Sequence, residues 1–243
     1  MTLTIDIEPR PPDAIIYVGI IGPPASGKST LSTRLATALA APIIRPRDAI
    51  RAALTHEPQL HELFVPINEL GWVSDGALGL AVRAAVARVP VRCRAVVLEN
   101  LPGDAVQVAD IQLAVRQRHG RLVVLHLDGS DDVLITRGGS RRVCQTCEQD
   151  SGRDPHEPAY PSHSNGAACG RCGGVLSIRP DDEDGVLRDR IVRHRQYARG
   201  VLRMIEVLGI PLLGIDATAE EATVERRATE AVAALATSAN HRG

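Results

Sequence analysis

The string Gly22-Pro-Pro-Ala25-Ser26-Gly27-Lys28-Ser29-Thr30 constrains this chain more than any other. It follows the apolar run Ile15–Ile21 and leads into leucines at 31, 35 and 39, a helical spacing. Strand, glycine-bounded loop and helix is the context in which G-x-x-x-x-G-K-[ST] becomes a phosphate cradle. Backbone N–H groups of such a loop, with the helix N-terminus behind them, point at phosphate oxygens. Lys28 reaches the outer phosphates, and a hydroxyl of Ser29 or Thr30 approaches a magnesium ion. Lys28 is also the single lysine among 28 basic residues, the rest being arginine. A compact point charge on a flexible stem suits this loop, and a planar guanidinium does not replace it.

The strands expected after the first lie at about 42–45, 94–98, 121–127 and 210–215. Most are continuously apolar, as strands buried on both faces are. Helical patterns separate them: Leu78, Val82, Val86 and Val89 form one, and Leu187 to Leu208 another. The last helix is expected to start at Thr218, with Glu221 completing a capping box, and to run to about 236. The expected fold class is therefore α/β, a parallel sheet covered by helices on both faces. With 44% hydrophobic residues but one Phe and one Trp, its core must be aliphatic.

Two stretches break the alternation. Residues 46–75 hold a short helix (48–54) and a turn-rich patch ending at Gly71-Trp72. Residues 139–178 are rich in Gly, Ser, Pro, His and Cys, and almost devoid of aliphatics. The second cannot bury a core of its own and needs a staple. It carries Cys144-x-x-Cys147 and Cys169-x-x-Cys172, 21 residues apart, close to the spacing of four-cysteine structural zinc sites. Redox pairing and an empty site are the alternatives. Zinc closed in by four thiolates holds shape and does no chemistry. His156 and His163 read as surface loop residues, and Cys93 as a small core residue.

A net charge of −1 argues against a general nucleic-acid or membrane surface. No apolar run approaches the roughly 18 residues of a membrane span. The first 14 residues carry acids and prolines rather than an apolar signal core. They read as a loosely ordered extension on a cytoplasmic protein, expected to be a monomer.

The order of features resembles the adenylate kinase family in its long form with a zinc-bearing lid. The strings that carry the resemblance are the loop at 22–30, Arg47-Asp48-Ala-Ile-Arg51, Leu98-Glu99-Asn-Leu-Pro102 with Gln107, Arg137-x-x-x-Arg141-Arg142, the cysteine pairs, and Arg179-Pro-Asp181-Asp182 with Arg190. The resemblance covers about 15–237. It implies a P-loop nucleotide kinase fold with a five-stranded sheet: a core of 15–45, 76–138 and 179–243, an acceptor-binding flap at 46–75 and a lid at 139–178. It also implies transfer of the γ-phosphoryl group of ATP to a nucleoside monophosphate, with magnesium and structural zinc. Gly22, Ala25, Ser26, Gly27, Lys28, Ser29 and Thr30 would hold ATP and the metal. Arg137 and Arg141 match arginines that hold ATP, and Arg179 and Arg190 match arginines that bridge the transferring phosphoryl. Asp48 and Glu99 match acids that order water around magnesium. Arg142, Arg188, Arg193 and Arg195 read as solvated.

The acceptor side departs from the family. The family's usual Asp-Gly-Phe-Pro-Arg is Glu99-Asn100-Leu101-Pro102-Gly103 here, so a phosphate-gripping arginine is glycine. A threonine of the family's Ser-Thr-Gly-Asp is Pro46, which has neither hydroxyl nor N–H. Losing a charged partner of the acceptor phosphate should cost about 1.5–3 kcal/mol of binding. Arg45, Arg47, Arg51, Trp72, Val73 and Gln107 remain as acceptor-site candidates, with Arg45 or Arg47 able to make up the lost charge. Trp72 either stacks on the acceptor or anchors the flap. The alternatives to a nucleoside monophosphate kinase are a kinase of another small molecule and an ATP-binding regulatory protein whose zinc module meets a partner.

Overall fold

A computed structural model describes residues 14–66, 73–149 and 159–237, without the side chains of Asp75 and residues 235–237. Trp72, His156 and all but the last residue of the expected extension lie outside the described residues. Strand β1 (Ile16–Ile21) runs into helix α1 (Lys28–Leu39), and the short β2 (Ile43–Ile44) into α2 (Pro46–His56). After a 3-10 turn and α3 (Asp75–Ala87) come β3 (Ala95–Glu99), α4 (Ala105–Gln117), β4 (Arg121–Asp128) and α5 (Asp131–Ser140). A small unit of β5 (Val143–Cys144), α6 (Gln145–Gln149) and β6 (Leu176–Ser177) follows. The chain closes with α7 (Asp184–Val207), β7 (Leu212–Asp216) and α8 (Glu221–Thr237).

The main sheet is five-stranded and parallel, in the order β2-β3-β1-β4-β7. Parallel neighbours need crossovers, and the helices supply them, so both faces are covered. Alternation divides each strand between two cores. Tyr17, Val96, Leu98, Leu122 and Val124 pack with α3, α4 and α7. Val18, Ile20, Val97, Val123, Leu125 and Leu127 pack with α1 and α8.

Two sequence expectations change. Strand β7 is an edge strand, and its Leu212 is 44% exposed, so a continuous apolar run did not mean burial on both faces here. Thr218 does not cap the last helix, because its N–H and hydroxyl both donate to the Asp216 carboxylate; α8 starts later, at Glu221. No helix among the described residues is long and apolar enough to cross a membrane.

Leu125 lies on a central strand with no solvent exposure. Leu125→Ala should destabilise the protein by about 2–5 kcal/mol, the lost transfer energy plus a cavity. Urea unfolding measures this, and a loss well under 1 kcal/mol would contradict the packing described.

Candidate active site

The C-terminal ends of β1 and β3 place the site. Leaving β1, the chain turns at Gly22, where an added Cβ would sit 2.4 Å from the Leu127 carbonyl oxygen, so only glycine fits. Gly27, at φ 87°, supplies the left-handed residue before α1 begins at Lys28. Lys28 Nζ donates to the carbonyl oxygens of Gly22 and Pro23, each at 2.8 Å. Ser26 Oγ is buried with no partner. A cationic head, an unpaired hydroxyl and a helix N-terminus at one loop fit a polyphosphate.

Burial first, and Arg190 after it, bring the Lys28 pKa down to about 7 against the opposing pull of Glu99. An unfolded lysine titrates near 10.4. The unfolded chain therefore binds more protons between those values, and Lys28 makes the empty protein more stable as the pH rises above about 7. Below pH 7 the charged lysine imposes its full penalty. Polyphosphate at the loop restores the charge, so ATP binding at pH 8 should take up a proton. Calorimetry of ATP binding at pH 8 in two buffers of different ionisation enthalpy tests this, and equal heats would contradict it.

A cleft of about 410 Å³ opens over the loop. Ala25, Ser26, Gly27, Lys28, Ser29 and Thr30 form its floor, and Arg137, Arg141, Arg142 and Arg179 its cationic wall. Arg137, in the last turn of α5, donates to the Ala217 carbonyl beyond β7. Arg141 forms a two-point bridge to Asp182, at 2.8 and 2.6 Å. Arg190 donates to the Asp181 carbonyl at 2.9 Å and stands 3.9 Å from the Asp182 carboxylate. The Asp182 side chain has no solvent exposure. The buried Asp182 carboxylate thus aims Arg141, while Arg190 is held chiefly by Asp181, whose carboxylate lies 3.6 Å away, roles that the Asp-Asp string alone did not reveal. Bidentate guanidinium–carboxylate geometry fixes direction as well as distance.

On the other side of the loop, Ser29 Oγ donates to Glu99 Oε1 at 2.6 Å, and Arg45 Nε to Glu99 Oε2 at 2.8 Å. Asp48 lies 3.8 Å from Arg45 and 3.2 Å from Arg51. A hydroxyl and two carboxylates are the hard oxygen ligands that magnesium takes, largely through water. Arg47 is exposed, as is Arg51 at 77%. Val73 packs against the core. Gln107 is buried, and its Oε1 accepts from the Gly103 N–H at 2.8 Å. Among the described residues, the three atoms nearest a Cβ built on Gly103 all belong to Gln107, at 3.3–3.9 Å, and none to a guanidinium.

Among the arginines read as solvated, Arg188 is exposed and pairs with Asp184 on its own helix. Arg195 is different: it bonds Asp128, Asp131 and the Gly129 carbonyl, lacing α7 to the turn after β4. Arg142 donates to the carbonyls of Gly139 and Arg141 and faces the cleft. Deeper in, His194 is pushed down to about 4 by burial first and then by Lys28. It is neutral at working pH, and neither its Nε2 nor that of His126 has a partner.

Four sulfurs, of Cys144, Cys147, Cys169 and Cys172, lie within 4.8 Å of one another. Measured pairs are 3.4 Å (144–172), 3.4 Å (147–172) and 3.8 Å (147–169). A tetrahedral zinc with Zn–S bonds of about 2.3 Å has sulfur–sulfur edges of about 3.8 Å. Backbone N–H groups of Arg171 and Cys172 lower the Cys169 pKa to about 7, favouring the thiolate that a metal needs. The donor set fits zinc. Cys144 and Cys147 also border the cleft, so this unit forms its roof.

No family model matches the chain. Over 179 residues it is 30% identical to the adenylate kinase of Streptomyces lividans, covering 73% of this chain and 87% of that protein. The adenylate kinase of Acidothermus cellulolyticus is 30% identical over 215 residues, 88% of this chain and 96% of that protein. That of Streptomyces coelicolor is 26% identical over 214 residues, again 88% and 96%. Likeness over nearly the full length of several such enzymes, on a parallel sheet with a phosphate loop and a four-cysteine cluster, places this chain in the adenylate kinase family of phosphotransferases.

Proposed function

We propose that the protein transfers the γ-phosphoryl group of ATP to a nucleoside monophosphate. The observation that carries this reading is the convergence of Lys28, Arg137, Arg141 and Arg179 on one cleft over the phosphate loop. Phosphoryl transfer asks for positioning and charge neutralisation, with little covalent work by the protein. The loop amides cradle the β- and γ-phosphates, and Lys28 turns from its own loop's carbonyls to their oxygens. Arg141, aimed by Asp182, and Arg190, held chiefly by Asp181, meet charge on the moving phosphoryl, and Arg179 joins them from the end of the cysteine-bearing segment. Magnesium, when bound, neutralises phosphate charge; Thr30, Ser29, Glu99 and Asp48 would hold it or its water. Segment 139–178 acts as a lid, and zinc keeps it stiff enough to exclude water from the transfer.

Arg45, Arg47, Arg51, Val73 and Gln107 form the acceptor half with the flap at 46–75. The glycine at 103 and the proline at 46 favour an acceptor site that differs from the family's AMP site. Incubating the protein with Mg·ATP and each of AMP, GMP, CMP and UMP, with ADP release as readout, tests the assignment. At least one should be phosphorylated; no turnover with any of the four would overturn it.

A further inference from the structure

We propose that two copies of this chain join as a two-fold dimer, with β7 of one copy pairing antiparallel to β7 of the other. Arg199 on each α7 then meets the partner's Glu206. The inference departs from the monomer expected of the sequence, and nothing in it depends on the reaction proposed above.

The strand that closes the main sheet has an open edge. Val124 N–H donates to the Pro211 carbonyl and Ala217 N–H to that of Asp128, so the odd-numbered residues of 211–217 turn their peptide groups toward β4. Those of Leu212 and Gly214 turn outward, where they find no partner among the described residues. Proteins guard such edges with charged residues or proline, and Leu212-Leu213-Gly214-Ile215 carries neither. The opposite edge strand, β2, is only two residues long. Beside the open edge runs a groove of about 620 Å³, lined by Arg199, Leu202, Arg203 and Glu206 of α7 and by Ile210 and Leu212.

A second copy suits this surface because its charges complement themselves. Arg199, Leu202, Arg203 and Glu206 stand at i, i+3, i+4 and i+7, a single stripe along α7. Turned end for end about the midpoint of 202 and 203, the stripe lays Arg199 on Glu206 and Glu206 on Arg199. Among the described residues neither has an ion-pair partner within its own chain. The strand shares this axis. Gly214 lies about 10 Å of strand above Pro211, and about seven residues of helix back from Leu208 cover the same height. Gly214 thus stands level with about residue 201, within a turn of the midpoint of the stripe. A two-fold interface needs one axis for all its contacts, and β7 and α7 supply it. Strand pairing and burial of Leu202, Ile210 and Leu212 hold the copies together, while the exposed ion pairs chiefly fix register. Because the sheets meet antiparallel, the two clefts open at opposite ends and both stay uncovered.

Sedimentation velocity of the full chain from about 5 to 500 µM tests the proposal, since dimerisation follows mass action. The parent should move with concentration toward twice the mass of one chain. Arg199→Glu sets like charges face to face and should raise the dissociation constant at least about tenfold. Adding Glu206→Arg to that variant restores opposite charges and should return the constant to within about threefold of the parent. Gly214→Pro removes an outward N–H at a position where a Cβ meets nothing within 4 Å. It should abolish the dimer and leave the melting temperature of the monomer, measured at the lowest concentration, unchanged. The charge exchange decides the matter should the proline disturb the fold. A parent that stays monomeric over the whole range overturns the inference. So does an Arg199→Glu protein that dimerises like the parent, a double variant that is not restored, or a folded Gly214→Pro protein that still pairs.

Discussion

Lys28→Met should lower the rate of phosphoryl transfer by about 10²–10³-fold, the usual loss when one preorganised stabiliser of developing charge is removed. The side chain is the single lysine, sits at the first position of α1, and has a lowered pKa in the empty site. Methionine keeps its length and apolar stem, so the packing of the loop is retained. The bonds to the Gly22 and Pro23 carbonyls are lost. Because removing a half-buried charge also removes its desolvation penalty, the variant's melting temperature should stay the same or rise. Initial rates and a thermal melt on the same preparation separate the two effects. A variant of parental activity would remove Lys28 from the mechanism, and one that unfolds would make its role structural.

The second large effect is expected at the cysteine cluster. Cys144, Cys147 and Cys169 are buried there, and among the described residues the hydrophobics packed against them are Ala159 and Leu176. So small an apolar cluster cannot offset the conformational entropy of the segment around it. In small zinc modules the metal contributes about 10–16 kcal/mol of apparent binding energy, which is folding energy. Cys169→Ser should therefore lose the metal and expose residues 143–149 and 159–177 to protease and to hydrogen exchange. The aliphatic cores, which share no cluster with the cysteines, should hold. Metal analysis should give one zinc per chain in the parent. A metal-free parent, or a Cys169→Ser variant that stays protected, would contradict the stapled-segment account.

How much of this was legible in the sequence follows from how local each signal is. The loop at 22–30 and the two C-x-x-C pairs are contiguous strings whose geometry follows from short-range spacing, and both are found assembled. The five strands were also readable, because runs such as Arg121–Asp128 are apolar beyond what a helix face needs. Burial of β7 was misread because composition does not reveal which strand falls at an edge. Thr218 was misread because Asp216, two residues upstream, competes for its N–H. The Arg45–Glu99 pair spans 54 residues and depends on the pairing of β2 with β3, which no local pattern encodes. Asp182 was likewise visible as a letter, but its hold on Arg141 across 41 residues was not.

The most direct test of the central claim follows the fate of the transferred group. Protein, magnesium, [γ-32P]ATP and each of the four nucleoside monophosphates are mixed, and the products are separated. The account predicts label in the β-phosphate of a nucleoside diphosphate, dependent on magnesium and reduced about 10²–10³-fold in Lys28→Met. Label appearing only as inorganic phosphate, or remaining on ATP with all four acceptors, would contradict it.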